Sequence, residues 1–132
     1  MTENNTGTLI ATDESIYRVI QDNEFVLMVF ESAECGPCQG LEPLLREISS
    51  HLSGFVAVAT LEVNKNLRAS RTYDADVTPT SKLFHSGEEV GSIRGYDTRR
   101  YYLRKLKEFL SGSPDSAAAA RSAAIISEFI DK

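Results

Sequence analysis

The fold of this chain is decided by residues 25–38, FVLMVFESAECGPC. The first six of these residues are all apolar, which is the length and composition of a strand buried on both faces. This strand runs toward Cys35 and Cys38, the two cysteines of the 132-residue sequence. Two cysteines three positions apart can close a small disulfide when the first lies at the start of a helix. The stretch therefore predicts a buried strand that ends at a Cys-Gly-Pro-Cys turn.

Cys35 and Cys38 predict thiol–disulfide exchange. Unpaired N–H groups and the dipole at a helix start favour the thiolate of the first cysteine. A thiolate within reach of a second thiol can attack a disulfide and then be released by its neighbour. The alternative is two packing cysteines, but the intervening Gly-Pro lowers helix propensity in a way that packing does not require. A zinc site needs two more ligands, and the two histidines, His51 and His85, have no recognisable ligand spacing, so no metal is expected.

Composition narrows the classes of function. The length indicates one domain, and 42% hydrophobic residues are enough for a sizeable core. A net charge of −5 and a pI near 5.0 argue against nucleic acid as a partner. The apolar run at 25–30 is far shorter than the ~20 residues of a membrane helix. Residues 1–8 contain no basic residue and no apolar run, which predicts no secretory signal and a cytoplasmic protein.

Hydrophobic periodicity predicts the remaining elements. In chain order they are a short helix after 12–15, a helix through 41–52 that contains Pro43, a strand over 55–63, a short helix over 66–73, strands over 80–84 and 88–94, and a helix over 101–110. Ser86-Gly87 between the last two strands is a hairpin signal. Strand–helix units followed by a hairpin and a helix indicate an α/β fold, with a central mixed β-sheet flanked by helices.

The composition changes after Gly112. Ser113 can cap a helix and Pro114 fits a first helical position, so an added C-terminal helix is predicted over 114–130. We expect it to dock on the domain or on a second protomer through its apolar residues: Ile125, Ile126, Phe129 and Ile130. The predicted organisation is a flexible N-terminus, a main domain and a helical extension, over residues 1–8, 9–112 and 113–132.

The order of elements and the CGPC sequence together resemble the thioredoxin family over about residues 9–110. Pro43 matches the proline of that family's active-site helix, and Thr78-Pro79-Thr80 matches its loop with a cis-proline beside the cysteines. Further matches to the hairpin and to a loop glycine are Phe84, Gly87 and Gly95. The resemblance implies a thioredoxin-like fold and a protein-disulfide oxidoreductase.

The resemblance also implies the catalytic roles. Cys35 would attack a substrate disulfide, Cys38 would resolve the mixed disulfide, and Gly36 and Pro37 would set the helix start. The expected partners are protein substrates with disulfides and, as electron donor, a thioredoxin reductase or a dedicated protein. No bound cofactor, nucleic acid or membrane is expected.

A second set of residues is expected to bind substrate. A cis bond before Pro79 would expose the Thr78 backbone to an extended peptide. Glu34, Gly95 and Tyr96 would complete the rim of the site. Each of these three also has a simpler interpretation: a solvated charge, a turn glycine and an ordinary surface tyrosine.

Four positions depart from the family, and one of them is Thr78, where the family often has an apolar residue before the cis-proline. Glu34 stands where the family usually has tryptophan, and Val29 and Thr60 stand where it has a buried aspartate and its lysine partner. Glu31 is interpreted as a solvated charge. These departures, with the added helix, keep two alternatives open: a thioredoxin-fold binding or chaperone module with dispensable cysteines, and a redox sensor that uses the same thiols.

Overall fold

The computed structural model describes residues 2–3 and 7–131. The strands are β1 (Thr2–Glu3), β2 (Leu9–Ile10), β3 (Phe25–Glu31), β4 (Ala57–Glu62), β5 (Thr80–His85) and β6 (Glu88–Arg94). The helices are α1 (Ile16–Gln21), α2 (Gly36–His51), α3 (Leu67–Thr72), α4 (Arg99–Ser111) and α5 (Ala117–Phe129). Residues 1 and 4–6 of the N-terminus predicted to be flexible lie outside the described residues. The division at residues 9 and 113 stays a prediction.

The sheet is mixed, with strand order β1-β2-β4-β3-β5-β6. β3 lies inside it, parallel to β4 and antiparallel to β5. Its residues Phe25, Leu27 and Val29 pack in a cluster with α2, α4 and α5, while the alternate residues pack against α1 and α3. Burial on both faces explains the unbroken apolar run. The predicted fold, a mixed sheet flanked by helices, is confirmed.

The predicted hairpin is also confirmed. Ser86 and Gly87 join β5 to β6 with φ angles of 49° and 89°, a region that glycine enters without strain. Behind the hairpin, the buried Tyr102 hydroxyl of α4 donates a hydrogen bond to Ser81 Oγ of β5 at 2.7 Å. This bond ties the last helix of the family-like region to the sheet. Among residues 2–3 and 7–131, no helix has the length and apolar character needed to cross a membrane.

α5 begins three residues later than predicted. Its N-cap is Ser116, whose Oγ accepts a hydrogen bond from the Ala119 N–H at 3.2 Å. Ser113, the predicted cap, instead lies with its Oγ 3.2 Å from Nδ1 of His85. His85 is half-buried, and its ring stacks on Phe25 with 4.2 Å between the ring centroids.

α5 docks on its own domain through the predicted apolar residues. Ile126 and Phe129 are buried, and Ile125 and Ile130 are half-buried against the same cluster. The Phe129 ring stacks on His51, at the end of α2, with 4.4 Å between ring centroids. Arg99 of α4 donates a hydrogen bond to the Phe129 carbonyl oxygen at 2.8 Å. The helix therefore belongs to the packed core on this face of the sheet.

Candidate active site

The two cysteines occupy the start of α2. Cys35 is the N-cap, with extended backbone angles of −138° and 107°, and its Sγ accepts a hydrogen bond from the Cys38 N–H at 3.1 Å. Pro37 lies in the first turn, where a missing N–H leaves no helical hydrogen bond unmade. Cys35 and Cys38 form a disulfide with their Cα atoms 5.2 Å apart. The sequence prediction of a disulfide at a helix start is therefore matched by the geometry.

The disulfide lies just beneath the surface. Cys35 is 7% exposed and Cys38 is 5% exposed, whereas Gly36 and Pro37 between them are exposed. Glu34, which precedes the first cysteine, is exposed as well. The exposed surface around the disulfide therefore includes Glu34 and the Gly-Pro turn.

The loop before β5 meets the first cysteine. The Thr78–Pro79 peptide bond is cis, and the Thr78 carbonyl oxygen lies 3.5 Å from Cys35 Sγ. In the disulfide this sulfur carries no hydrogen, whereas a thiol at the same place can donate one to the carbonyl. Ser32 Oγ lies 3.2 Å from Thr78 Oγ1, and the Gly95 N–H donates to the Pro79 carbonyl at 2.6 Å. Three separate loops are thereby joined around one sulfur atom. Ser32 was missed because no local sequence pattern marks a bond across 46 positions.

Tyr96, which follows Gly95, contacts the helices α2 and α4. Its ring meets Tyr102 edge-on, with 5.8 Å between centroids. On the other side the ring lies against Gly40 of α2, where an added Cβ would come 3.8 Å from it. Partial burial raises the pKa of the Tyr96 hydroxyl above its ordinary value, more than the nearby Arg99 lowers it. Tyr96 thus packs between α2 and α4.

Below the disulfide, the sheet carries no charged pair at the family's usual position. Val29 on β3 pairs in register with Thr60 on β4, and Val29 is 1% exposed. The next pair on the same face is Glu31 with Glu62, because alternate residues of a strand share a face. The carboxylates of Glu31 and Glu62 therefore lie two residues closer to the cysteines along their strands than the Val29–Thr60 pair does.

Glu31 is half-buried, so its interpretation as a solvated charge is wrong. Burial raises the pKa of the Glu31 carboxyl above its usual value, and the charges of Glu42 and Glu62 raise it further. A hydrogen bond from the Thr60 hydroxyl opposes these effects without reversing them. The available signal was its position two residues after the buried Val29, on the same strand face.

Glu62 has the opposite character. Partial burial disfavours its charge, but hydrogen bonds from the N–H groups of Lys65, Ala33 and Asn64 hold the pKa of this carboxyl below its ordinary value. Its Oε2 lies 3.0 Å from the Lys65 nitrogen. The two carboxylates are in register on adjacent strands, yet their environments move their pKa values apart.

A cleft of about 190 Å³ opens beside the second cysteine. It is lined by Glu31, Ser32, Ala33, Cys38, Gln39, Glu42 and Glu62. Within residues 2–3 and 7–131, no group of three or more histidine, cysteine, aspartate or glutamate residues is placed to hold a metal ion. Cys38 therefore shares this cleft with the side chains of three glutamates: Glu31, Glu42 and Glu62.

Comparison with known proteins decides the family, since the thioredoxin family model matches residues 7–108. The chain belongs to the thioredoxin family. The thioredoxin of Alicyclobacillus acidocaldarius is 31% identical over 104 residues, which cover 79% of this chain and 99% of that protein. The thioredoxin of Mycobacterium tuberculosis is 33% identical over 103 residues, or 77% of this chain and 89% of that one.

Other relatives extend the comparison. The "Bifunctional thioredoxin reductase/thioredoxin" of Mycobacterium leprae is 34% identical over 102 residues, which are 76% of this chain and 22% of that protein. A mutant thioredoxin from Halobacterium salinarum superimposes with a TM-score of 0.64 at 30% identity, over 74% of this chain and 86% of its own. Plasmodium falciparum thioredoxin shares the fold, with a TM-score of 0.68 at 23% identity over 75% and 95% of the two chains.

Family membership and the Cys35–Cys38 disulfide make this thioredoxin-family protein a thiol–disulfide oxidoreductase, as the sequence predicted. The family match ends at residue 108, before α5 begins. α5 is thus an addition to the matched region, although it packs in the same core.

Proposed function

We propose that this protein reduces disulfide bonds in other proteins, with Cys35 as the attacking thiolate and Cys38 as the resolving thiol. The observation that carries the proposal is the 3.1 Å hydrogen bond from the Cys38 N–H to Cys35 Sγ at the N-cap of α2. A negative sulfur at this position accepts an otherwise unpaired N–H and is stabilised by the helix dipole. Cys38 lies one turn inside the helix, and its backbone N–H donates its hydrogen bond to the sulfur of Cys35.

The reaction has two exchanges. The Cys35 thiolate attacks a substrate disulfide, forms a mixed disulfide and releases one substrate sulfur, which takes up a proton. Cys38, once deprotonated, attacks Cys35 Sγ, so the mixed disulfide breaks and the second substrate sulfur leaves. Two electrons pass to the substrate, and the enzyme ends with its Cys35–Cys38 disulfide.

The substrate-binding surface comprises Thr78 and Pro79, with Glu34, Gly95 and Tyr96 at its rim. An extended substrate segment would pair with the Thr78 backbone beside Cys35, in the manner of an added strand. The 3.5 Å approach of the Thr78 carbonyl to Cys35 Sγ supports this position. Exposed Glu34 would disfavour acidic partners.

A thioredoxin reductase or a dedicated donor would return the disulfide to the dithiol, in the cytoplasm and without a bound cofactor. The Mycobacterium leprae relative, whose name joins a thioredoxin reductase to a thioredoxin, supports a donor of this kind. Neither nucleic acid nor a membrane is part of the proposal, in keeping with the net charge of −5.

The test is insulin reduction driven by dithiothreitol, with the native protein and the Cys35→Ser variant. The native protein should accelerate precipitation of the insulin B chain, and Cys35→Ser should be inactive while melting cooperatively. A folded Cys35→Ser variant that keeps the native rate would overturn the proposal. The disulfide form of the protein could also oxidise a reduced peptide. If that reaction is faster than the reduction of insulin by the dithiol form, the protein forms disulfides in its substrates and does not reduce them.

A binding or chaperone module is the second candidate, favoured by α5 outside the family match and by the uncharged Val29–Thr60 pair. In that case the Cys35→Ser variant would suppress aggregation of an unfolded client as well as the native protein does. Loss of that suppression together with insulin reduction would favour the reductase.

A further inference from the structure

The second exchange poses a chemical requirement at Cys38. The attacking species is the thiolate, so the thiol must lose its proton before it can attack Cys35 Sγ. Cys38 is 5% exposed, which limits direct transfer to bulk water. This inference rests on the proposed function, because it concerns the resolving half of that reaction.

The cleft beside Cys38 contains three groups able to accept a proton: Glu31, Glu42 and Glu62. Glu62 is a weaker base than Glu31, since three backbone N–H groups stabilise its ionised form. The Glu42 side chain is 64% exposed and pairs with Arg46 at 3.3 Å, so its charge is screened by solvent and by a cation. Glu31 remains as the half-buried carboxylate at the end of β3.

We propose that Glu31 is the proton acceptor for Cys38 in the resolving step, directly or through one water molecule in their shared cleft. The Cys38 S–H bond breaks and its proton passes to the Glu31 carboxylate. The new thiolate attacks Cys35 Sγ, the Cys35–Cys38 bond forms, and the bond from Cys35 to the substrate breaks. The substrate sulfur departs as a thiolate, and Glu31 then passes its proton to solvent.

The surroundings of Glu31 suit this role. The Thr60 hydroxyl donates to its carboxylate from the neighbouring strand and orients it. The charges that face it are Glu62 from β4 and Glu42 from α2, and the latter is paired with Arg46. Burial and these two carboxylates raise the pKa of Glu31, which makes it a stronger base than an exposed glutamate. Two neighbouring carboxyls whose pKa values move apart commonly divide acid–base work in this way.

The experiment separates the two exchanges with the full chain. Reduced protein is mixed in a stopped-flow instrument with an aromatic disulfide reagent that releases a coloured thiolate at each exchange. The first phase reports attack by Cys35, and the second reports resolution by Cys38. The variants are Glu31→Gln and, as a matched control from the same cleft, Glu42→Gln, each measured from pH 5 to pH 9.

Glu31→Gln should slow the second phase by about 10-fold or more near neutral pH while changing the first phase less than about 2-fold. Its second phase should become proportional to hydroxide concentration, because solvent must then remove the proton. Glu42→Gln should change the second phase by less than about 3-fold, as expected for an exposed carboxylate.

An unchanged or faster second phase in folded Glu31→Gln would overturn the inference, because the carboxylate would then act only as a nearby charge. The first phase of the native protein would still report the reductase activity in that case. If the native protein shows no first phase, the proposed function itself is wrong. The two failures are therefore distinguishable.

Discussion

The two ends of β3 are built differently. Beyond its carboxyl end the sulfur of Cys35 contacts backbone atoms, namely the Cys38 N–H and the Thr78 carbonyl. At the amino end, side chains bond to side chains: Glu24 accepts from Ser116 Oγ and lies 3.2 Å from His85 Nε2. The backbone groups around Cys35 do not depend on a particular side chain. The side-chain bonds of Glu24, by contrast, hold the start of α5 against the domain. Chemistry and the attachment of α5 should therefore be separable by mutation.

The largest effect should be the loss of insulin turnover when Cys38, beyond the carboxyl end of β3, is replaced. Cys38→Ser should lower insulin turnover on the order of 100-fold or more, because the mixed disulfide at Cys35 has no resolving thiol. The mixed disulfide should accumulate and be visible by mass spectrometry of the unreduced protein. Ser50→Ala, an exposed change on the same helix, should keep native turnover. Native turnover in Cys38→Ser would mean that a thiol from outside the protein resolves the intermediate.

The next effect concerns stability and not chemistry. Phe129→Ala should lower the free energy of unfolding by about 3 kcal/mol, because a buried aromatic ring stacked on His51 is replaced by a cavity. Urea unfolding measures the change, and insulin turnover below the transition should stay within about 2-fold. Ile125→Ala, at a half-buried position of the same helix, should cost less. If both variants lose activity in proportion to stability, the two ends of β3 are coupled.

A smaller loss should follow removal of the observed cap. Ser116→Ala should lower stability by about 1 kcal/mol, since the Ala119 N–H loses its acceptor. Ser113→Ala provides the comparison, because Ser113 was the cap predicted from the sequence. Urea unfolding of both variants decides between the two: a larger loss for Ser113→Ala would favour the earlier helix start.

The smallest effect is on the pH dependence of stability. Its sign should differ between Glu31 and Glu62, which lie in register on adjacent strands. Because the native pKa of Glu31 is raised above 4.5, the stability associated with its protonated form is lost as pH rises through that raised value. Glu31→Gln should therefore be more stable than the native protein at pH 7, by less than about 1 kcal/mol, with no gain at pH 3.

Glu62 should behave in reverse. Its native pKa is lowered, so its contribution is present above the ordinary value of 4.5 and lost as pH falls through the lowered one. Glu62→Gln should be less stable than the native protein at pH 7 and equal to it in strong acid. Urea unfolding at several pH values measures both variants, and slopes of the same sign would contradict the assigned environments.

The sequence predicted the fold because the elements that define it have strong local patterns. The apolar run of β3, the Ser86-Gly87 turn and the CGPC sequence are each explicit in a few residues. The start of α5 was not predictable in this way, because Ser113 and Ser116 both have a residue type that caps helices. Contacts with Glu24 and His85, distant in sequence, determine which serine takes that position.

The residues of the candidate site were also predicted only in part. That Cys35 lies beside Thr78 and Pro79 could be predicted because these residues belong to a recognisable motif and loop. Glu31 was not, because a single glutamate at a strand end usually faces water. The strand period places Glu31 on the same face as the buried Val29, but its burial also depends on how far α2 covers that face, which the residues around position 31 do not encode.

The buried hydroxyl of Tyr102 gives the molecule a built-in optical probe. The sequence has five tyrosines and no tryptophan, so its near-ultraviolet absorption reports tyrosine. Burial raises the pKa of Tyr102, and only partial compensation comes from Ser81. In an alkaline titration, the absorbance change of Tyr102 should appear only when the sheet opens, so this tyrosine reports the loss of the fold.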